Sequence, residues 1–480
     1  MATQRISFGE WLPDQPGLSG ALTVAKNVVS QAIGYGPLPL QVQIATGAAE
    51  NLVSLHTATQ TNGTTALFAA GTTKVFKISP VGAFTDVSGA TYSTPGADRI
   101  RFTQFGEQTI FTNNFDKLQA YNVNTSTDFA DLSASAPVAK FITVVRDFVV
   151  VANTLESTTN YASRVRWSGI NDETTWTYSQ TTQSDKQDIP DGGNIVGITG
   201  GEFGLVFLDR SIVRMSYIGT PLIFQFDNIS RGTGCLEANS IAQYQGVTFF
   251  LSDDGFYMCD GQKVTPIGSE KVDRYFFETI NLSDIATMSA AIDPIRKLVV
   301  WNYPTTGNIR KLLIYNFKTS RWTDAETETD YISDASTGDV TMEDLDTISS
   351  SLDSLTQSLD SSAYIGGQHF LGGTRGTSIF SLTGLPSAGF IETGDIDIGA
   401  TSLVTLARPQ IDGGSASVAI ASRNRLDGAI TYSDNVAASD ENRVSLRSSG
   451  RYHRLRVTPS GTAWANAVAV DIDVVPQGGR

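Results

Sequence analysis

The side chains that could do chemistry are few and scattered. The three histidines, His56, His369 and His453, sit far apart and show no metal-ligand spacing. Three close carboxylate pairs occur: Asp253 with Asp254, Asp395 with Asp397, and Asp471 with Asp473. A glycoside hydrolase needs two carboxylates facing each other across a substrate. Asp253-Asp254 instead falls in the turn Ser252-Asp253-Asp254-Gly255, where Asp is favoured by its own backbone hydrogen bonds. The other two pairs have the i, i+2 spacing of one strand face and are expected on the surface. Asp-box repeats, a Gly-rich phosphate loop and a GxSxG elbow are all missing from the sequence. Cys235 and Cys259 match no metal or redox spacing and are expected as buried free thiols. The sequence therefore assigns no catalytic, cofactor-binding or metal-binding residue. It is read as that of a non-enzyme working without a cofactor.

One charged row stands out. In RYHRLRV, Tyr452, Arg454 and Arg456 share one strand face, and His453 and Leu455 the other. The row is expected either to meet carboxylates of a partner or to be a solvated face. The formal net charge is −15, unevenly spread. Residues 323–363 carry eleven acidic residues and no Lys or Arg, residues 364–480 carry ten of each sign, and so the first 322 residues carry −4. That balance argues against a nucleic-acid binder, which needs cations to neutralise phosphates. It suits a surface that must not hold DNA.

The elements around these residues read as short strands joined by Gly, Asn and Asp turns. The clearest stretch is Gly246 to Phe277, a hairpin with turns at Ser252–Gly255 and Asp260-Gly261. A single hairpin cannot bury its own apolar surface. A loose repeat supplies neighbours, with units beginning at Leu52, Arg99, Ala139, Asn194, Ser240 and Thr287. This is blade spacing, and it predicts an all-β chain: a β-propeller of about six blades over residues 46–385. A many-stranded sandwich is the alternative. The segment YIGGQHFLGGTRGTSIFSLTG is expected as a last blade that closes the ring. The proline-rich residues 1–45 predict an N-terminal arm, and 386–480 a separate C-terminal β-sandwich-like domain. Residues 323–363 predict an acidic insertion with a short helix at 342–360, its apolar stripe being Leu345, Ile348, Leu352, Leu355 and Leu359. Proteolysis is expected first between Asp324 and Asp339. No segment is apolar for long enough to span a bilayer, and the N-terminus does not read as a signal peptide.

The segments FGEWLPDQPG, DGFYMCDG…PIGSEKVDRYFF, MEDLD…LDSLTQSLD and GRYHRLRV resemble the tail nozzle, or hub, proteins of short-tailed bacteriophages, also called head-to-tail stabilisation or tail tubular proteins. The resemblance implies a propeller-based structural protein of the virion tail, assembled in the host cytoplasm. It implies a homo-oligomer, expected as a hexamer, that sits below the portal and adaptor rings, continues the DNA ejection channel and gates it. Its implied partners are the adaptor (head-to-tail connector) protein, tail fibres or tailspikes, and double-stranded DNA in transit, with no membrane insertion. Deleting residues 1–20 is then expected to leave the propeller folded but to impair attachment to the tail. A propeller-type host-glycan-binding protein or adhesin is the competing function, and a glycan hydrolase a weaker third. The tryptophans at 11, 167, 176, 301, 322 and 464 do not recur by blade, as repeated sugar sites would require.

Overall fold

The turns fix the strands first. In the hairpin joining Ala242–Tyr244 to Val247–Leu251, the two loop residues Gln245 and Gly246 both have positive φ, 49° and 82°. That backbone twist matches the twist of the paired strands, which is why two-residue loops of this kind close hairpins. The computed structural model describes residues 2–477 apart from 64, 97, 308, 338–366 and 368.

Repeated hairpins build six separate four-stranded antiparallel sheets as blades, and the ring also takes in a four-stranded meander that belongs to a larger sheet. Five follow in chain order, with first strands Ser54–Thr59, Arg101–Phe105, Val138–Val145, Ile195–Thr199 and Ala242–Tyr244. The four-stranded meander, Ser289–Asp293 to Arg321–Thr327, comes next in the ring, its first strand touching those of its neighbours. Each of these six first strands begins within two residues of a repeat unit seen in the sequence. The last blade is Tyr331–Ser336, His369–Arg375 and Ser378–Ser381, completed by the early strand Val42–Thr46, with Ser378 opposite Thr46 and Ser381 opposite Val42. An early strand thus closes a late blade, and the ring cannot open without breaking that pairing.

Blade stacking explains the apolar runs. The second strand Thr65–Ala70 is buried at every position. Leu67 and Ala69 pack towards Ala45 and Phe370 of the closing blade, while Phe68 and Ala70 pack towards Phe111 and Tyr121 of the next blade. Gly204–Leu208 and Leu298–Pro304 are likewise buried throughout. A strand covered on both faces reads as a continuous hydrophobic run. Each fully buried Phe or Leu contributes about 1.5–3 kcal/mol.

The meander does not stand alone. Its last strand pairs parallel with Val24–Lys26, which pairs with Phe390–Glu392, and so the sheet continues into the long strands Val444–Ser460, Ile396–Asp412 and Asn466–Pro476 of the C-terminal β-sandwich-like part. Ile396–Asp412 covers the first half of Val444–Ser460, and Ser415–Arg423 the second half. Residues 2–45 are woven into this body. Ala2–Ser7 pairs along Asn466–Pro476, Val28–Ser30 and Tyr35–Pro37 form a hairpin at its edge, and Val42–Thr46 belongs to the propeller. One apolar core runs through both parts, holding Trp11, Phe256, Trp301, Trp322, Leu455 and Val470 together.

The acidic stretch needs a correction. Residues 323–336 are not an insertion: they are the end of Arg321–Thr327 and the strand Tyr331–Ser336. Asp324 is buried, accepts a hydrogen bond from the Tyr275 hydroxyl at 3.0 Å and lies 3.5 Å from Lys311. Glu326 pairs with Lys26, and Glu328 with Arg375. Partners brought in by the fold make strands of an acid-rich sequence, so no protease-sensitive loop occupies 324–336. The helix expected at 342–360, with its leucine stripe, lies outside the described residues.

Candidate functional site

Most of the residues singled out for chemistry are committed to partners within the chain. Asp395 is buried and accepts from Arg454 at 2.9 and 2.8 Å and from Arg423 at 2.7 Å. Burial pushes its carboxyl up, but the hydrogen bonds and charges of the two guanidiniums overcome this and hold it below the usual carboxylate range. Asp397 pairs with Arg451 at 3.2 Å. Asp471 pairs with Arg5 at 2.8 Å, and Asp473 with Arg408 at 3.1 Å and the Thr3 hydroxyl at 2.6 Å. Arg456 bonds Glu392 at 2.6 Å, with its guanidinium over Tyr432. The arginine row therefore neither faces solvent freely nor waits for a partner. It locks the C-terminal strands together through Asp395 and Glu392, while Asp397, Asp471 and Asp473 serve as counterions of other arginines.

The other candidates are structural too. His453 is fully buried between the Ser402 hydroxyl, 3.0 Å from Nε2, and the Ser422 hydroxyl, 2.7 Å from Nδ1. Burial lowers its pKa, which keeps the ring neutral. His56 stacks on Phe102, and burial pushes it down to about 4. His369 pairs with Ser336 in the closing blade. Asp254 accepts from the Tyr257 hydroxyl and Asp253 from that of Ser252, inside the expected turn. Cys235 and Cys259 are buried free thiols, and burial pushes Cys235 up to about 12. Among the described residues no three His, Cys, Asp or Glu side chains converge to hold a metal ion. No described helix is long and apolar enough to cross a membrane.

Three distant motif segments instead converge on one junction between propeller and C-terminal strands. Residues 8–17 lie across residues 266–277. The helix Asp273–Thr279 has no side-chain cap from its own N-terminal residue. Asp14 supplies one in trans, its carboxylate accepting from the backbone N–H groups of Arg274 at 3.0 Å and Tyr275 at 2.9 Å. Glu10 pairs with Lys271 at 3.1 Å, and Trp11 meets Tyr275 edge-on at 5.2 Å. Residues 450–457 enter from the other side. The carbonyl of Gly17 accepts from the Asp395 N–H at 2.7 Å, and a Cβ on Gly17 would lie 2.5 Å from the Arg454 guanidinium. Only glycine lets this loop lie on the arginine lock.

Asp273 is the strained member of the junction. Its carboxylate accepts from the Phe256 N–H at 3.1 Å and fills space left by Gly255 and Gly268, where added Cβ atoms would lie 2.2 and 1.9 Å from its oxygens. Burial, with the nearby charges of Asp14 and Asp254, pushes it up to about 7 despite that hydrogen bond. Its folded pKa thus exceeds the unfolded value of about 3.9. The stability it contributes is complete below about pH 3.9 and is lost as pH rises through about 7. Asp273→Asn keeps the acceptor and the volume but cannot ionise. It is expected to stabilise the chain at pH 8 by about 2 kcal/mol, discounted for partial solvent screening, and to change little at pH 4. Urea unfolding at the two pH values checks this; equal effects at both would refute it.

The junction could not be read from spacing alone. The Pro-Gly ending of FGEWLPDQPG and the Gly255, Gly268 and Asp273 set were visible as residues, but nothing local ties them together across more than 200 positions.

No family model matches the chain, and no curated protein matches it in sequence. Solved structures align with it at low identity and low TM-score. The N-terminal domain of Nup159 aligns at TM-score 0.40 and 10 % identity, covering 78 % of this chain and 98 % of that one. A chain of the mitotic checkpoint complex aligns at 0.38 and 10 %, covering 64 % and 91 %. Virginiamycin B lyase from Staphylococcus aureus aligns at 0.37 and 11 %, covering 59 % and 87 %. Likenesses at this level carry no argument about fold or activity.

Proposed function

We propose that the chain is a structural component of a short-tailed phage tail, a ring-forming nozzle protein that continues and gates the DNA ejection channel below the adaptor. The observation that carries this reading is the junction. Of the four segments with the nozzle-protein resemblance, the three that lie among described residues meet there, and they serve packing, capping and ion pairing. A mechanical role fits a body whose two ends are knitted into one continuous sheet. The competing glycan-binding reading gains no support from the tryptophans, since all six are buried to 3 % exposure or less and offer no open platform for a sugar.

In this reading the duplex runs along the axis of the ring of copies, not through a propeller, whose central space is too narrow for a duplex. The net charge of −15 suits a channel wall of acidic and neutral polar groups that does not retard DNA. The assembled protein mixed with duplex DNA at low salt is expected to give no electrophoretic shift. Micromolar, salt-sensitive binding would overturn the non-stick wall, and saturable binding to a host glycan would favour the adhesin.

A further inference from the structure

On the propeller axis, where the first strands of the blades converge, lies a cavity of about 320 Å³ lined by His56, Arg99, Arg101, Asn239, Ser289 and Tyr331. It shares Arg101 and Asn239 with an adjoining pocket of about 600 Å³. The Arg99 guanidinium lies 4.1 Å over the ring of Tyr331 and donates to the carbonyls of Ala286 and Met288. Arg101 donates to Asn239 Oδ1 at 2.9 Å and lies 5.0 Å from the ring of Phe141. Arg310 backs the same Tyr331 ring at 5.9 Å, and all its bonds go to Asn302 and Thr287.

Neutral acceptors and aromatic faces hold these three guanidiniums; none of the three has a carboxylate within ion-pair distance among the described residues. Acids act on them only from beyond ion-pair distance, Glu237 on Arg99 and Arg101, Asp98 on Arg101, and Asp330 and Asp284 on Arg310, and these have nearer partners: Asp98 pairs with Lys140, Glu237 accepts from the Asn239 N–H, Asp330 from the Gly376 N–H and Asp284 from the Asn281 amide. Burial lowers the pKa of all three arginines, Arg99 to about 9, and repulsion from Arg101 and Arg310 adds to the effect on Arg99. All three remain charged at neutral pH. His56 lines the same wall, with Nε2 buried and without a hydrogen-bond partner. Partly desolvated cations held in place by neutral groups are an arrangement that an anion would complete.

We propose that this axial cavity binds a small phosphate-type oxyanion, either inorganic phosphate or a phosphate monoester small enough for the cavity, between Arg99 and Arg101. Arg310 adds charge from behind Tyr331, and His56 in its Nε2–H tautomer is available as a further donor. The cavity is far too small for a duplex, so this site is separate from any DNA channel.

The test is calorimetric titration of the full chain with inorganic phosphate, and separately with glycerol phosphate, against chloride at matched ionic strength. Saturable one-to-one binding of phosphate is expected, weakened at least tenfold by Arg101→Gln. Asn239→Asp places a carboxylate against Arg101 and should abolish binding without removing any cation, which covers the case that Arg101→Gln fails to fold. Glycerol phosphate binding as well as phosphate would indicate a monoester ligand, and its exclusion would indicate the free ion. No saturable heat with phosphate, or equal heat in wild type and Asn239→Asp, would overturn the site.

Discussion

Asp395→Ala is expected to destabilise the chain by about 3–5 kcal/mol, the cost of leaving buried charge without its counterion. The carboxylate side chain is 3 % exposed and those of its two partners, Arg423 and Arg454, only 13 % and 15 %. Removing the acid strands both cations inside the C-terminal body, next to the Gly17 loop that rests on them. The loss should fall mainly on contact between residues 8–17 and the C-terminal strands. Because Asp395 is held below the usual carboxylate range, its contribution is present above about pH 3.9 and is lost as pH falls through its lower folded value. Urea unfolding at pH 7 measures the effect, and a loss under 1 kcal/mol would show that the lock is not structural. Replacing Arg454 by Met in the Asp395→Ala background should recover part of the loss, since one unpaired cation then disappears.

Trp11→Ala should cost about 3–5 kcal/mol, the range for emptying a large buried aromatic site. Trp11 is 2 % exposed, its Nε1–H donates to the Thr23 carbonyl at 3.1 Å, and its ring sits in the shared core against Tyr275. Deleting residues 1–20 removes this anchor together with Phe8, the Asp14 cap and the strand Ala2–Ser7 along Asn466–Pro476. The truncated chain should therefore lose the order of its C-terminal strands, and not only an attachment arm. Thermal unfolding of Trp11→Ala checks the first effect, and proteolysis of the truncated chain the second. A near-neutral Trp11→Ala would mean that the 8–17 segment rests on the surface without holding it.

The repeat was legible because turns and doubly buried strands are local. Gly, Asn and Asp punctuate the chain between runs such as TALFAA and GLVFL, and those runs are the blade centres. The site was less legible because its chemistry is pairwise across the fold. Arg454 looks like a solvated or partner-seeking cation until Asp395, 59 residues earlier, is placed on it. The acidic stretch after Trp322 reads as a loop for the same reason: its neutralising partners Lys26, Lys311 and Arg375 come from other strands. Composition reports the charge, and only the fold supplies the counterion. The prolines of residues 1–45 likewise read as an arm, although short strands between them enter both the C-terminal sheet and the closing blade.

The most direct test of the structural role is electron microscopy of the purified chain at concentrations that favour assembly, with native mass measured on the same sample. A nozzle protein should appear as a closed ring, expected to hold six copies, around an axial opening wide enough for a DNA duplex. A monomer at every concentration, both alone and with the adaptor protein, would contradict the account.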